Sequence, residues 1–530
     1  MALSDKDKTV EIFTVEDEKY DKSDAIHFSD ALEKTGFGIF NYSIILLGGV
    51  VMTCTLYETA SVGFILPIAE CDLNLTNRDK GILSTIGYVG IIVSSHMWGF
   101  LADTKGRRAV ILPSLFMGCA VSIFSSFSPR FWLLIVLKFT NGFFISASYA
   151  TFFVYIGEFH IDRTRTGAIM AASCIFSVGA MLLPVVGWGV INQNWSLPLP
   201  FLGIVYKPWR LLILVCACPG ILAVIILLFL PESPKFLLSI GKKEEAIKVI
   251  KKMYRWNRKS GDLQINDIIP EKDTTVQNLS EPSINTSSSL LKAFLNTLWK
   301  QTVPLFQKNL LLSTVLICNI QFWMYVTIHG MFMWYPFITD IMVNAMSSNS
   351  TSNATRICDA VHANQLKLVT EEDHHCVEQL QDKTFIYSVT MEFCFFVGFI
   401  IIGLLDRKVQ KNCILFSLLF VFGVCGVLTN FIYNATVALI VFNMFFLSGA
   451  GIQVLSGITI ELYPTHLRGM AVCISMMFGR LGGVAGANAA GFLLPYNCEL
   501  TFYIAGAGLI ASAFSTFLIP KVTHSEKMVS

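Results

Sequence analysis

The chain has 530 residues, of which 54% are hydrophobic and only 14% are charged, and its mean hydropathy is +0.60. This composition excludes an ordinary soluble domain and indicates an integral membrane protein. The formal net charge is only +2, and Lys and Arg are spread along the chain without a dense basic block, which excludes a nucleic-acid-binding protein as well.

The first 42 residues are polar and lack the apolar core of a cleavable signal peptide. We therefore expect segment 1–42 to be a cytoplasmic tail. Twelve apolar stretches follow, each close to the roughly 20 residues that a helix needs to cross a bilayer. The predicted spans lie near 43–68, 82–102, 109–128, 131–157, 167–191 and 209–230, and then near 309–339, 384–405, 412–432, 435–460, 469–493 and 500–520.

These spans form two halves, 43–230 and 308–520, joined by the polar segment 231–307. With both chain ends in the cytoplasm, including the tail 521–530, Lys and Arg are more frequent in the short connections on that side, as topology requires. Apolar residues at helical spacing among lysines predict a membrane-surface helix early in the cytoplasmic linker. The predicted fold class is an all-α membrane protein with twelve transmembrane helices in two six-helix halves.

The polar loop 340–383, between the seventh and eighth spans, is predicted to lie outside. Asn349 and Asn353 each begin a glycosylation sequon on that side of the membrane. Cys358 and Cys376 share the same oxidising environment, so we expect them to form a disulfide. The two adjacent histidines of this loop lack further ligands at a fitting spacing, so no metal site is expected.

A specific signal stands at the turn between the second and third spans, GFLADTKGRR, residues 99–108. Gly99 is expected to let two helices approach closely, and Gly106 to allow a tight reversal. Arg107 and Arg108 hold the turn in the cytoplasm. Asp103 can pair with basic groups at neighbouring helix ends, and a pair that forms in one arrangement and breaks in another suits a two-state gate.

Each of these gate features has a counterpart in the second half. The turn GLLDRKVQK, residues 403–411, matches the first turn in part and retains Gly403, Asp406 and Arg407. After the fourth span, Glu158 precedes Arg165 by seven residues, and after the tenth span Glu461 precedes Arg468 by the same interval. We expect each Glu and Arg to clamp a helix end to its loop. Corresponding signatures at corresponding places indicate an internal repeat around a central site.

The motifs resemble those of known transporters. The turn 99–108 matches the pattern G-x-L-A-D-x-x-G-R-R of the major facilitator superfamily, and PESPKF at 231–236 is similar to a signature of sugar porters and organic-ion transporters. The stretches 61–83, 209–220 and 460–470 resemble the synaptic vesicle glycoprotein 2 family and its invertebrate relatives. The resemblance implies the twelve-helix facilitator fold and movement of a small solute by alternating access.

Ionisable residues inside spans are costly unless they are paired or hydrated, so they mark functional positions. Arg480 is the strongest candidate, since a guanidinium stays charged and needs an anionic partner. We expect Glu58 to be its counter-charge, while packing is the better interpretation of His96. The candidate substrate-binding residues are Glu58, His329, Arg480, Lys138 and Glu392. In related organic-ion transporters this part of span eleven tends to be basic in anion carriers, which favours an anionic or zwitterionic solute.

The predicted function is therefore transport of a small charged organic solute, with proton coupling through Glu58 and passive uniport both open. The alternative is a non-transporting membrane protein that acts as a vesicle constituent or regulator. Neither an enzyme motif nor a cofactor site is found. We expect a monomer in the lipid bilayer of the plasma membrane or an intracellular vesicle, with the solute, and in the coupled case protons, as its partners.

Overall fold

The structure is a computed structural model that describes residues 25–258, 263, 265, 267–269, 299, 302–347, 356–370, 380–405, 409–463 and 465–520. This part of the chain contains twelve helices that are long and apolar enough to cross a membrane. The predicted fold class is confirmed. The inner end of each span is the end predicted to face the cytoplasm, and the outer end is the opposite one.

The bounds of the spans agree with the predicted ones to within a few residues at most ends, because long apolar runs leave little choice of where a helix can lie. In chain order the spans are Ile39–Leu73, Asn77–Lys105, Arg107–Ser126, Phe131–Glu158, Asp162–Ile191, Pro208–Cys216 with Cys218–Phe229, Lys308–Tyr325 continuing to Tyr335–Ser347, Asp382–Leu405, Lys411–Leu428, Ala435–Phe446 with Gly451–Leu462, Thr465–Tyr496 and Cys498–Ser515.

Span 7 is irregular in its middle. The helix Lys308–Tyr325 passes through a π-helical turn, Val326–Gly330, and a 3₁₀ turn, Met331–Trp334, before Tyr335–Ser347 resumes the α-helix. A side chain at Gly330 would lie only 2.7 Å from the Cα of Gly486 in span 11, so glycine permits the close approach of these two spans. Gly330 therefore lies where the helical type of span 7 changes.

The linker and tail pack together under the first half. The tail helix, Phe28–Thr35, and the surface helix, Lys243–Arg258, bury apolar side chains against one another and the inner ends of the spans. A short parallel pairing of Ala25–His27 with Asp267–Ile269 adds to this layer. Asn257 of the surface helix accepts a hydrogen bond from the backbone N–H of Phe40 at 3.0 Å, which fixes the layer to the start of span 1.

The disulfide prediction at the outer face is wrong in its partner. Cys358 is bonded to Cys498 at the start of span 12, with the two Cα atoms 5.5 Å apart. The outer helix, Ile357–Thr370, folds onto the second half and carries Cys358 to a buried position beside that span. Sequence proximity favoured Cys376, but tertiary packing decides the pairing. Cys376, Asn349 and Asn353 lie outside the described residues.

Candidate functional site

Arg480 lies in the middle of span 11, where it faces the other half of the protein. Its Nη1 donates a hydrogen bond to Ser95 Oγ of span 2 at 2.8 Å. Ser95 Oγ lies 3.0 Å from Ser146 Oγ of span 4, so Arg480 joins a polar chain that crosses between the halves. Among the residues that the structure describes, no carboxylate forms an ion pair with Arg480, which is only half-buried. The partner that the structure shows for Arg480 is therefore a neutral hydroxyl.

Polar aromatic side chains surround this guanidinium. The ring nitrogen Nδ1 of His329 lies 3.2 Å from the hydroxyl of Tyr88, and the His329 ring packs 4.5 Å from the ring of Tyr325. Tyr88, Tyr325, Tyr149 and His329 all lie within electrostatic range of Arg480. His329 sits in the π-helical turn of span 7, so the irregular backbone presents it toward Tyr88 of the first half. The structure thus brings His329 and Arg480 into one cluster at the interface of the two halves.

Glu58 does not pair with Arg480, and this prediction is wrong. Its Oε2 accepts a hydrogen bond from Lys138 Nζ of span 4 at 3.3 Å, and the two residues are only 3% and 4% exposed. The pair lines a small cavity inside the first half together with Tyr88 and Asn141. Lys138 lies within the same half as Glu58 and reaches it directly, so the neutralising cation comes from a neighbouring helix and not from across the central site.

Glu392 and His96, the other ionisable candidates in the spans, are less buried than Glu58 and Lys138. Glu392 is half-buried in span 8, and the structure gives it no hydrogen bond or ion pair with a described residue. His96 is also half-buried, and it lies within electrostatic range of Arg480. Glu392 is therefore not joined to the central cluster, whereas His96 borders it on the inner side.

The inner end of the first half is organised around Arg107. Its guanidinium forms ion pairs with Asp103 at 3.2 Å and with Glu158 of span 4 at 3.0 Å. Gly106 has a φ of +110°, so the tight reversal predicted for it is confirmed. The close helix approach predicted at Gly99 is wrong, because a side chain there would meet nothing within 4 Å.

Glu232, in PESPKF, is a residue that sequence reasoning missed. Its carboxylate accepts hydrogen bonds from the backbone N–H groups of Arg107 and Arg108, both at 3.0 Å, and of Ala109 at 3.1 Å. These are the first N–H groups of span 3, which have no partner within the helix and favour negative charge. The available signal was a carboxylate directly after span 6, on the same predicted side of the membrane as the turn 99–108. Arg108 itself donates to the carbonyl oxygen of Leu227 at 3.2 Å, which ties the same turn to span 6.

The clamp predicted after span 4 has different partners. Glu158 pairs with Arg107, while Arg165 donates to the carbonyl oxygen of Gly157 at 3.1 Å and so still holds the end of span 4. In the second half, Glu461 forms an ion pair with Lys411 at the start of span 9. The side chains of Asp406, Arg407 and Arg468 are outside the described residues.

Lys411 and Arg107 are therefore equivalent residues of the two halves. Each lies at the inner start of the third span of its half and binds a glutamate at the end of the fourth. Counted from the first glycine of each turn, Lys411 stands at the same position as Arg107. The internal repeat thus extends from sequence to ion pairs.

Comparison with known proteins places this arrangement in a family. Residues 29–361 match the family model described as sugar (and other) transporter. The chain belongs to this transporter family. Synaptic vesicle glycoprotein 2C of Mus musculus is 31% identical over 47% of this chain, and synaptic vesicle glycoprotein 2A of Rattus norvegicus is 32% identical over 44%. The matched regions span only 34% and 32% of those relatives' own lengths.

Solved structures of transporters share the fold. The xylose transporter XylE from E. coli, in a partially occluded inward-open conformation, matches with a TM-score of 0.63 over 91% of this chain and 100% of that chain, at 12% identity. An inward-open structure of the same transporter matches with a TM-score of 0.62 over 92% of this chain and 98% of that chain, also at 12% identity. At this identity the likeness concerns the major facilitator fold alone.

In this member of the transporter family, the two halves meet at their outer ends. Asp382 at the start of span 8 accepts hydrogen bonds from Trp188 Nε1 at 2.8 Å and from Asn192 Nδ2 at 3.1 Å, both at the end of span 5. The rings of Phe64 and Phe385 stack 5.9 Å apart nearby. At the inner ends, the ion pairs of Arg107 and Lys411 stay within their own halves.

Proposed function

We propose that the protein carries a small organic anion or zwitterion across the membrane by alternating access, and that Arg480 binds the negative group of this solute. The observation that carries the proposal is the difference between Glu58 and Arg480, the two charges in the spans that were expected to pair. Glu58 already has a cation in Lys138, whereas Arg480 has only a serine hydroxyl among the described residues.

The difference between Glu58 and Arg480 matters because a charge inside a membrane is unfavourable without a partner. An ionised group at the centre of a bilayer is unfavourable unless it has a partner or water, and a guanidinium does not escape by losing its proton. Because Glu58 and Lys138 cancel, the central site keeps the positive charge of Arg480. A carboxylate or phosphate fits the planar fork of guanidinium donors better than any neutral group.

The neighbours of Arg480 suit a solute that also forms hydrogen bonds. The hydroxyls of Tyr88 and Tyr325 and the ring of His329 lie within electrostatic range of the guanidinium, and they can donate or accept. His329 and Tyr88 belong to different halves and contact each other, so a solute bound beside this pair would touch both halves. This is the position that an alternating-access carrier needs for its substrate, near the midplane and at the interface of the two repeats.

The gates support the same mechanism. Asp382 and its partners join the halves at the outer face, while Arg107 and Lys411 tie each half to itself at the inner face. Such halves can rock as rigid bodies about the central site. The described contacts fit a conformation that is closed outside and separated inside.

Proton coupling is proposed through the pair of Glu58 and Lys138. Protonation of Glu58 would neutralise the carboxylate and release Lys138 inside the first half, next to Tyr88, which also contacts His329. Uniport is the competing possibility. Uptake that rises with an imposed pH gradient, and that no longer responds to the gradient in folded Glu58→Gln protein, supports coupling, whereas wild-type uptake that is indifferent to the gradient contradicts it.

The test of transport is uptake by the purified protein in liposomes, using a panel of carboxylates, organic phosphates, amino acids and organic ammonium ions. Thermal stabilisation by the same compounds identifies ligands before uptake is measured, since a ligand that binds the folded state raises its melting temperature. Saturable uptake of anions or zwitterions, absent from empty liposomes, is the expected result. No saturable uptake of any compound by folded protein contradicts the proposal.

A second candidate function is a non-transporting role as a vesicle constituent or regulator. It is favoured by the relatives that the chain resembles, which are named as synaptic vesicle glycoproteins. The uptake panel separates the two functions, because a protein that only regulates partners should move none of the compounds.

A further inference from the structure

An apolar hairpin projects from the outer face between spans 5 and 6. Strand Leu197–Leu199 pairs antiparallel with strand Ile204–Tyr206, and a 3₁₀ turn, Pro200–Leu202, forms the tip. Gly203 follows in the left-handed region, with a φ of +63°, and lets the chain reverse. The hairpin is thus a defined structure, built from two strands and two prolines, and not an irregular loop.

The tip of this hairpin is apolar and uncovered. Phe201 is 97% exposed, and Leu197 and Val205 are 55% and 42% exposed. No charged residue occurs from 192 to 206. A large apolar side chain that is almost fully exposed, in a long uncharged segment, marks an interaction surface and not a solvated loop.

The base of the hairpin is attached to the outer end of span 3 through a buried contact. The hydroxyl of Tyr206 lies 2.6 Å from Ser126 Oγ at the outer end of span 3, and the Tyr206 ring packs 5.3 Å from Phe127. Span 3 itself exposes Phe116 and Phe124, which are 61% and 66% exposed, as a helix that faces lipid does. The residues around Arg480 come instead from spans 2, 4, 7 and 11. The hairpin therefore stands at the edge of the bundle.

We infer that the hairpin 197–206 is a membrane-docking wedge that inserts Phe201 into the outer leaflet of the bilayer. Span 5 ends at Ile191 and span 6 begins at Pro208, so both roots of the hairpin lie at the membrane boundary. Trp195 stacks on Tyr206 with ring centroids 6.1 Å apart, and aromatic side chains of this kind favour the headgroup level. A hairpin without charge meets no electrostatic barrier to entering the interface, and its fixed shape reduces the entropy lost on docking.

We assign lipid, and not water or a partner protein, as the surroundings of the hairpin tip because the tip continues the exposed apolar surface of span 3. The exposed apolar surface of span 3 reaches Phe124, two residues before the Ser126 that contacts Tyr206, so an apolar surface of the kind that acyl chains cover extends to the level of the hairpin. This inference is independent of any solute, so it can stand whether or not transport is observed.

The experiment places a fluorescent non-canonical amino acid at position 201 of the full chain in phosphatidylcholine vesicles. A matched variant carries the same amino acid at Arg130, an exposed position in the preceding outer turn, so any attraction of the probe itself for lipid is equal in both. Lipids brominated in the acyl chains quench a probe in the bilayer, and aqueous iodide quenches a probe in water.

We expect quenching by brominated lipid to be roughly twofold stronger at position 201 than at position 130, because an interfacial apolar group lies about 5–10 Å below the headgroups. Iodide should show the opposite order. Equal iodide quenching at the two positions would place the hairpin in water and overturn the inference. Weak quenching of position 201 by both agents would place it against protein and would overturn it too.

Discussion

Replacing Glu58 by Gln should destabilise the protein, because it leaves Lys138 charged and buried without a partner. The two residues are 3% and 4% exposed and lie 3.3 Å apart, so water does not replace the lost carboxylate. Removal of one member of a buried ion pair costs about 3–5 kcal/mol. Lys138→Met should lower the free energy of unfolding by a similar amount, because it leaves Glu58 charged and buried without a partner. The double variant has no buried charge at this site and should recover most of the loss.

The assay is a double-mutant cycle on the free energy of unfolding in detergent, followed by tryptophan fluorescence. Glu392→Gln is the matched control, since Glu392 is a half-buried glutamate for which the structure shows no described partner, and it should cost no more than roughly 1 kcal/mol. If the two single effects simply add in the double variant, Glu58 and Lys138 do not depend on each other and the reasoning fails. If removing Arg480 instead restores the stability of the Glu58→Gln variant, Glu58 pairs with Arg480 and not with Lys138.

Three further predictions concern the gates and the disulfide. Asp382→Ala removes the acceptor shared by two donors of span 5, so spin labels on the outer ends of the two halves should report longer distances; unchanged distances contradict the closing role. Glu232→Gln weakens a charged helix cap and should cost about 1–2 kcal/mol, seen as faster hydrogen exchange at residues 107–109, and unaltered exchange argues against it. Peptide mapping without reduction should find Cys358 joined to Cys498; a link to any other cysteine is the contrary result.

The twelve spans could be predicted from the sequence because a bilayer fixes the length and the polarity of each helix. The irregular turn of span 7 was also predictable, since Gly330 beside His329 weakens a regular helix at a functional position. Both features depend on residues that are close together in the sequence, so they can be predicted without knowing how the helices pack.

The partners of the charges could not be predicted in the same way. The sequence indicates that Glu58 needs a cation, but Lys138 and Arg480 both satisfy that need, and only helix packing decides between them. Glu158 and Arg165 are close in sequence, yet the guanidinium that reaches Glu158 is that of Arg107, on another span. Ion pairs between helices depend on which faces meet, and periodicity does not contain that information.

The pairing of Lys411 with Glu461 could have been predicted from the internal repeat. Lys411 and Arg107 occupy the same position after Gly403 and Gly99, so the pair of Lys411 with Glu461 follows from the pair of Arg107 with Glu158. A repeat relates contacts as well as motifs, because equivalent helices pack in equivalent ways.

The most direct test of the central claim compares anions and cations in wild-type protein, Arg480→Asp and Arg480→Lys. Saturable uptake in liposomes is measured for the best anionic and the best cationic compound of the panel. A charge-assisted hydrogen bond contributes about 1.5–3 kcal/mol, and 1.4 kcal/mol corresponds to a factor of ten. Arg480→Asp should therefore lower anion uptake about tenfold or more relative to cation uptake, and Arg480→Lys should retain part of it. An equal loss of both, in protein that still folds, would contradict the role of Arg480 as the anion site.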